Sequence, residues 1–216
     1  MALAVDAVTS ARVGGVTSLT ISHTCSGANR VLRTGVSWAG FAITVTGVTY
    51  AGAALSSIGS RVDADDNTGI HIWRRIAPAT GANDVVITMS ASCTDIVCGN
   101  ISFTGADQTT PDGAFNSAIG NSTTPSVVIT SATGEIVMDT LDYAEVGAAP
   151  GAGQTEQWDS STGAAINGAG STEAGAASVT MSWTITSAGW VTGGAAVKPV
   201  AAGGGSFFEF RVPQFA

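Results

Sequence analysis

Alternation of apolar and polar residues dominates the chain, and this pattern is typical of β-strands with one buried face. The segment VTSLTISHTC at 16–25 shows it clearly. The same alternation recurs in five further segments, 41–50, 84–92, 125–131, 135–143 and 177–185. Two more segments, RVLRTGVSW at 30–38 and GIHIWRRIA at 69–77, are rich in β-branched and aromatic residues and are predicted to be strands as well.

Turn-forming residues separate these segments. Gly, Asn, Asp and Pro cluster in SGAN, DADDNTG, PATGAND, GADQTTPDG and GNSTTP. No segment has a convincing helical period, and we find no internal repeat. The Ala-rich region 147–177 carries glycines every few residues, each costing a helix about 1 kcal/mol. We therefore expect long loops there around a single strand at 154–159. The pattern predicts an all-β, antiparallel β-sandwich (jelly-roll-like) of about 10–12 strands.

The chain divides into four segments by composition. Residues 1–11 are predicted to be an N-terminal arm or a first strand, and residues 12–199 the β-sandwich domain. A Gly-rich linker follows at 200–206. An aromatic C-terminal docking arm is expected at 207–216.

Charge narrows the possible partners. Hydrophobic residues make up 44% of the 216 residues and charged residues 11%, a balance that predicts a globular protein. The net charge is −8 and Lys198 is the only lysine, so a nucleic acid or an anionic membrane is not an expected partner. The sequence has no run of 18 apolar residues and no signal-peptide pattern at its start. We expect synthesis in a cytoplasm.

Catalytic motifs are scarce, and we do not expect an enzyme or a cofactor. GVSWAG at 35–40 resembles a nucleophile elbow but has the wrong spacing, and Ser37 lies within a predicted strand. GAGQTE and GAGSTE lack the last glycine of a dinucleotide loop. A metal pair of His23 and His71 is conceivable, but the two lack close metal-ligand spacing and we expect ordinary packed or surface histidines.

One acidic turn has partial calcium-loop spacing. In DADDNTG, Asp63, Asp65 and Asn67 have the i, i+2, i+4 spacing that directs oxygens at Ca²⁺. The glycine comes one position late and no glutamate closes the loop. We regard it as a weak metal candidate and favour a plain hairpin turn.

The cysteines and tryptophans leave two questions open. Cys25, Cys93 and Cys98 could include a Cys93–Cys98 bridge, but three cysteines suit buried thiols better. Of the tryptophans, Trp183 alternates with Val179 and Met181 as a core residue would. Trp158 lies in the glycine-rich region, where we expect exposure, and is therefore a weak glycan-binding candidate.

Five segments of the chain resemble a known module. They are NRVLRTGVSW, TVTGVTYAGAAL, ISFTGADQTTP, GAGQTEQWD and VTMSWTITSAGWVTGGAAVKP. In that order they resemble a jelly-roll-type β-sandwich module of tailed-bacteriophage virion proteins and related bacterial surface proteins. The resemblance covers residues 15–199 and implies fold more than function. It carries no catalytic residues.

The C-terminal segment FFEFRVPQFA contains four of the seven phenylalanines. The predicted partner-binding residues are Phe207, Phe208, Phe210, Arg211 and Phe215. Burying four phenylalanines would contribute roughly 6–12 kcal/mol, close to the cost of ordering ten residues. Such a segment therefore binds effectively when many copies act together.

These features lead to an expectation of assembly. The protein is expected to be a virion structural protein of a tailed phage, a capsid decoration (cement) protein that binds the outer head surface and reinforces capsomer contacts. The expected partners are the major capsid protein and other copies of itself, as a homotrimer. The alternatives are a tail or fibre structural component and a carbohydrate-binding adhesion module.

Overall fold

A computed structural model describes residues 2–144, 147–161, 166–186 and 189–201. These residues form strands and no helix, and no helix able to span a membrane occurs among them. The strands are β1 (Ala4–Val13), β2 (Val16–Cys25), β3 (Val31–Ala39), β4 (Val45–Tyr50), β5 (Ala53–Ala54), β6 (Ser56–Asp63), β7 (Thr68–Ile76), β8 (Gly81–Cys93), β9 (Asp95–Thr104), β10 (Asn116–Asn121), β11 (Ser126–Thr130), β12 (Ile136–Tyr143), β13 (Ala149–Pro150), β14 (Thr155–Ser160), β15 (Asn167–Ala174), β16 (Ser178–Thr184) and β17 (Gly189–Val197).

The strands form four sheets, all with antiparallel pairing. Outer sheet 1 has the order β2-β8-β4-β5, and inner sheet 1 the order β1-β9-β3-β7-β6. Inner sheet 2 has the order β10-β17-β12-β15-β14, and outer sheet 2 the order β11-β16-β13. The predicted all-β, antiparallel sandwich is confirmed. The described residues contain 17 strands, more than the 10–12 expected. The segments named from the sequence did not include the two-residue strands β5 and β13 or the longer strands β6, β9, β10, β15 and β17.

The second half of the chain repeats the topology of the first. If the two-residue β5 is set aside, β1, β2, β3, β4, β6, β7, β8 and β9 correspond in order to β10 through β17. Both the inner and the outer sheet then have the same strand order in each half. The prediction of no internal repeat from the residues is therefore wrong at the level of topology. The repeat lies in strand pairing rather than in residue identity, so inspection of the sequence does not show it.

The central strands of both inner sheets, β3 and β9 in one and β12 and β17 in the other, are buried on both faces. All nine residues of β3 are buried. Leu32, Val36 and Trp38 face outer sheet 1 in one cluster, whereas Val31 packs with Met138 and Val197 of the second half in another. Outer sheet 2 covers the other face of inner sheet 2 in the same way. The molecule is therefore two sandwiches stacked through their inner sheets, not one two-layer sandwich.

Glycines allow the two inner sheets to approach closely. A Cβ built on Gly99 would lie 2.0 Å from the Trp158 ring, and one built on Gly170 would lie 2.1 Å from it. The indole therefore occupies a slot between two glycines, one from each half. Similarly, a Cβ on Gly35 would lie 2.1 Å from Thr140 Oγ1. Larger side chains at these positions would push the sheets apart.

A buried arginine joins the halves. Arg33 is fully buried; its Nη1 donates to the Ala195 carbonyl at 2.7 Å and its Nη2 to the Ala196 carbonyl at 2.6 Å. Nη2 also donates to Asp112 Oδ1 at 2.9 Å, and Arg74 Nε lies 3.0 Å from Asp112 Oδ2. Burial lowers the pKa of Arg33 to about 10, against the opposing effect of Asp112. The charge is retained at neutral pH and is paired across the junction.

The structure decides between an arm and a strand at the start of the sequence, and it corrects the prediction of a single strand in region 147–177. Residues 4–13 form β1, which pairs along its length with β9, so the chain begins with a strand rather than an arm. The region 147–177 holds three strands, not one. The strands not predicted in this region are the two-residue β13 and the longer β15, whose sequence NGAGSTEA has no β-branched aliphatic residue. Its glycines face close neighbours, including Trp158 over Gly170, which is why small residues suit a strand here.

Candidate functional site: the Asp63–Asn67 turn and its two cavities

The hairpin between β6 and β7 lies where the first and second halves of the chain meet, and residues of both halves surround it. Asp63 Oδ1 accepts hydrogen bonds from the backbone N–H of Asp65 at 3.0 Å and of Asp66 at 3.4 Å. Asn67 has a φ of 56°, and its carbonyl accepts from Gly40 N at 2.9 Å. Asp63 thus stabilises the turn by an Asx-type contact.

This geometry argues against Asp63, Asp65 and Asn67 as the ligands of a calcium ion. Asp63 is engaged with the turn's own backbone, and Asp65 is exposed. Among the described residues, no group of three or more His, Cys, Asp or Glu side chains is placed to hold a metal ion. Asp63, Asp65 and Asn67 lie in the hairpin turn between β6 and β7 that the sequence favoured. Asp66, which was not among the predicted ligands, faces the second half and lies against Gly189.

An apolar cavity of about 270 Å³ lies on one side of the turn. Trp38, Phe41, Ile43 and Val62 contribute its apolar wall. Phe41 is 83% exposed and Val62 47% exposed, which is unusual for side chains of this kind. Trp38 is held in place because its Nε1 donates to the Ile43 carbonyl at 2.9 Å. We call this region the Phe41 surface, and its chemistry suits an apolar or aromatic side chain of a binding partner.

A polar cavity of about 240 Å³ lies on the other side of the turn. Asp66 and Thr68 line it from the first half, and Asn121, Asp142 and Ile166 line it from the second. Asp142 is on the face of β12 that carries Met138 and Thr140 toward the first half. The cavity is thus built only when the two halves are stacked. We call it the junction cavity.

Asp142 is the unusual group of the junction cavity. It is 2% exposed, and its Oδ1 has no hydrogen-bond partner among the described residues. Burial raises the pKa of Asp142 well above its usual value. A hydrogen bond with Thr68 opposes this, and the negative charges of Asp66 and Asp63 reinforce it. A bare carboxylate here requires a compensating positive charge or a proton.

Trp158 was a glycan-binding candidate because it was expected to be exposed, and it is not exposed. It is 5% exposed and packs between the inner sheets. The exposure prediction was wrong because the glycines around Trp158 make a packing slot rather than a loop. Trp183 is 2% exposed and lies in a core cluster with Leu141 and Tyr143, as its alternation predicted.

The two histidines are packed in separate places. His23 is buried in outer sheet 1, with its Nδ1 2.9 Å from Thr9 Oγ1. His71 stacks on Trp73 at a ring-centroid distance of 4.3 Å, and its Nε2 is 2.7 Å from Ser57 Oγ. Burial lowers the pKa of each histidine to about 4, so both are neutral at pH 7. They do not come together as a metal pair.

The Ser57–His71 contact has the first two parts of a nucleophile–base arrangement. A third group that orients the base is needed for a triad. Burial alone lowers the pKa of His71, and no carboxylate among the described residues acts on it. The predicted strand residue Ser37 is buried and donates to the Leu141 carbonyl at 3.2 Å. Neither serine has the surroundings of an activated nucleophile.

The thiols and the C-terminal residues complete the predicted sites. Cys25, Cys93 and Cys98 are free and buried, as favoured from the sequence. The predicted partner-binding residues Phe207, Phe208, Phe210, Arg211 and Phe215 lie outside the described residues. The last described residues lie beside Gly105, whose carbonyl accepts from Val200 N at 2.8 Å. Gly105 is at the opposite end of the β3–β9 pair from the Phe41 surface.

Comparisons of the chain with protein families, with curated proteins and with solved structures found no match.

Proposed function

We propose that the protein is a virion structural protein of a tailed phage, a capsid decoration protein that assembles with itself and binds the outer surface of the head. The observation that carries the proposal is the Phe41 surface, an exposed apolar cavity at the opposite end of the β3–β9 pair from the last described residues. The narrower assignment to a phage head rests on the resemblance of the strand segments to virion modules.

The Phe41 surface supports a binding role. An exposed phenylalanine beside an exposed valine and a cavity exposes apolar area that monomeric proteins usually cover. Aromatic side chains contribute much of the energy of protein interfaces when they enter such a cavity. The C-terminal segment 207–215 supplies four phenylalanines. We assign this segment of a second copy as the occupant.

Chain length bears on which copy the segment reaches. The nine residues of β3 span about 30 Å, which separates Ala201 from the Phe41 surface. At full extension the chain spans about 20 Å from Ala201 to Phe207 and about 45 Å from Ala201 to Phe215. Phe207 and Phe208 therefore fall short of the Phe41 surface of their own copy, whereas Phe215 is within reach of it. Our assignment to a second copy gives a head-to-tail contact, which closes into a ring such as a trimer when the rotation between copies allows it.

The remaining chemistry suits a structural role at the outside of a particle. A net charge of −8 with one lysine disfavours contact with packaged nucleic acid. Burial of Trp158 takes away the residue on which the carbohydrate-binding alternative rested. A tail or fibre component would share the same assembly chemistry and differs only in its place on the particle.

The test is the solution mass of three variants, measured by light scattering over a range of concentrations. We expect the full chain to form an oligomer, and a chain ending at Ala202 to be a folded monomer. Phe41→Ser is expected to dissociate in the same way. Val128→Ser is the matched control, because Val128 is 51% exposed on β11 and lines neither cavity.

Each result has a defined meaning. Loss of the oligomer in both the truncated chain and Phe41→Ser, with Val128→Ser unchanged, supports the proposal. A full chain that stays monomeric, or an oligomer that survives truncation, overturns the assignment of the C-terminal segment. Cosedimentation of the oligomer with undecorated phage heads, but not with isolated tails, would support the place on the head.

A further inference from the structure

The junction cavity brings together oxygen donors from both halves of the chain. Asp66 and Thr68 come from the β6–β7 hairpin, Asn121 from the end of β10 and Asp142 from β12. The backbone at Gly189 lies so close that a Cβ there would be 1.9 Å from Asp66 Oδ2. The position that a side chain would occupy is therefore taken by a carboxylate oxygen.

The buried carboxylate at Asp142 needs a counterpart. Its Oδ1 lacks a hydrogen-bond donor among the described residues, although the side chain is 2% exposed. Asp139, a buried carboxylate on the same strand, differs from Asp142 because both of its oxygens accept hydrogen bonds. Its Oδ1 accepts from Ser171 N at 2.7 Å and Ser171 Oγ at 2.8 Å, and its Oδ2 from Trp183 Nε1 at 2.7 Å. Asp142 has no comparable set of donors in its surroundings.

No positively charged side chain lines the junction cavity among the described residues. The arginines that lie near the interface between halves are engaged elsewhere. Arg12 pairs with Asp95, and Arg33 and Arg74 pair with Asp112. A mobile cation can therefore compensate the two carboxylates in this place, as an alternative to protonation of Asp142.

We propose that the junction cavity is a Ca²⁺ site, with Asp66 and Asp142 as carboxylate ligands and with Thr68 and Asn121 supplying neutral oxygens. Ca²⁺ takes six to eight oxygen ligands in flexible geometry and accepts waters among them, so two carboxylates and two neutral groups make a low-affinity site. The cavity of about 240 Å³ has room for the ion and several waters. Bound Ca²⁺ would join the first half to the second.

This site is distinct from the acidic turn identified in the sequence. Asp63 holds the turn through its own backbone, and Asp65 is exposed and does not line the cavity. The proposed ligand Asp142 is far along the chain from Asp66 and reaches it only through the stacking of the halves. The proposal does not depend on the function proposed above.

The experiment is calorimetric titration of the full chain with CaCl₂ at neutral pH, paired with thermal unfolding in Ca²⁺ and in EDTA. We expect measurable binding and a higher Tm in Ca²⁺. Asp142→Asn should weaken Ca²⁺ binding by more than about tenfold and remove the Tm difference. Asp66→Asn should do the same, and because Asp66 is exposed this variant tests the site without disturbing the core.

Asp65→Asn is the matched control, since it removes the same charge from the same turn. It should bind Ca²⁺ like the unchanged chain. Absence of heat and an equal Tm in Ca²⁺ and EDTA would overturn the proposal, and Asp142 would then be a buried neutral acid. Equal loss of binding in Asp65→Asn and Asp66→Asn would also overturn it, since the ion would then be attracted by the exposed turn alone.

Discussion

The indole of Trp158 lies so close to Gly99 that a Cβ on the glycine would fall 2.0 Å from the ring. The two residues belong to different halves of the chain, and Gly170 closes the opposite side of the indole. The stacking of the inner sheets therefore depends on the absence of two side chains. This contact is a sensitive place to test the four-layer arrangement.

Gly99→Ala is expected to destabilise the protein by about 1–3 kcal/mol, because the added methyl group forces the sheets or the indole to move. The free energy of unfolding, measured by urea titration, checks this. Gly47→Ala is the control, since a Cβ there meets nothing within 4 Å and Gly47 has no positive φ. Equal stability of the two variants would contradict the close approach of the inner sheets.

Arg33→Met is expected to cost about 3–5 kcal/mol of stability. The variant keeps the apolar stem but leaves the carbonyls of Ala195 and Ala196 without the arginine donor and leaves Arg74 as the remaining cation beside Asp112. The measurement is again the free energy of unfolding. Arg61→Met provides the control because Arg61 is an exposed strand arginine. A loss no larger than that of Arg61→Met would show that the junction does not rely on this charge.

Acid should destabilise the protein through His23. Burial lowers the pKa of His23 from 6.5 to about 4, against the opposing charge of Asp6. Between these values the unfolded chain holds a proton that the folded chain lacks, so stability is present above pH 6.5 and is lost as the pH falls toward 4. The difference amounts to at most about 3 kcal/mol. The comparison is urea unfolding of the unchanged chain and His23→Gln at about pH 7 and about pH 5.

The variant is essential to this measurement because other groups titrate in the same range. His71 acts in the same direction as His23. Burial raises the pKa of Asp139 to about 6, so Asp139 favours the folded state as the pH falls and acts in the opposite direction. Subtracting the two curves leaves the contribution of His23. Parallel pH dependence in the two proteins would refute the assignment.

The thiols should be unreactive in the folded protein. All three cysteines are buried, and burial raises the pKa of each, to about 12 for Cys98. Because the thiolate is the reactive form, a colourimetric thiol reagent is expected to label the chain only as it unfolds. In denaturant without reductant, three thiols should react. A count of one would reveal a disulfide between two of them.

Local pattern predicted five strands of the first half, β2, β3, β4, β7 and β8, because their residues alternate or are rich in β-branched and aromatic types. It did not predict β6 or β9. The predicted segment 16–25 coincides with β2, and 30–38 differs from β3 by one residue. β15 was not predicted because its small residues are required by close packing against residues distant in sequence, such as Trp158. The stacking of the two sandwiches through their inner sheets was not predicted for the same reason, because it depends on contacts between residues distant in sequence. Alternation reveals that a strand has two faces, but it cannot reveal that both faces of β3 are covered.

The candidate site likewise contains one part that the local sequence predicts and one part that depends on contacts between distant residues. The turn at 63–67 was recognisable from its Asp, Asn and Gly residues, and the capping by Asp63 is a local event. Asp142 carries no signal in the sequence, since it occurs in an ordinary alternating strand. Its significance comes from Asp66 and Thr68, which reach it only after the halves have stacked. Sites built between repeats are therefore the least accessible to sequence reasoning.

The repeated strand order bears on the nature of the contact between the halves. The first and last strands of each half are neighbours, β1 beside β9 and β10 beside β17, so each half is complete in its strand pairing. One half alone would expose an apolar inner face containing Val31, Ile101 and Phe103. The contact between the halves therefore has the form of an interface between two subunits, contained within a single chain.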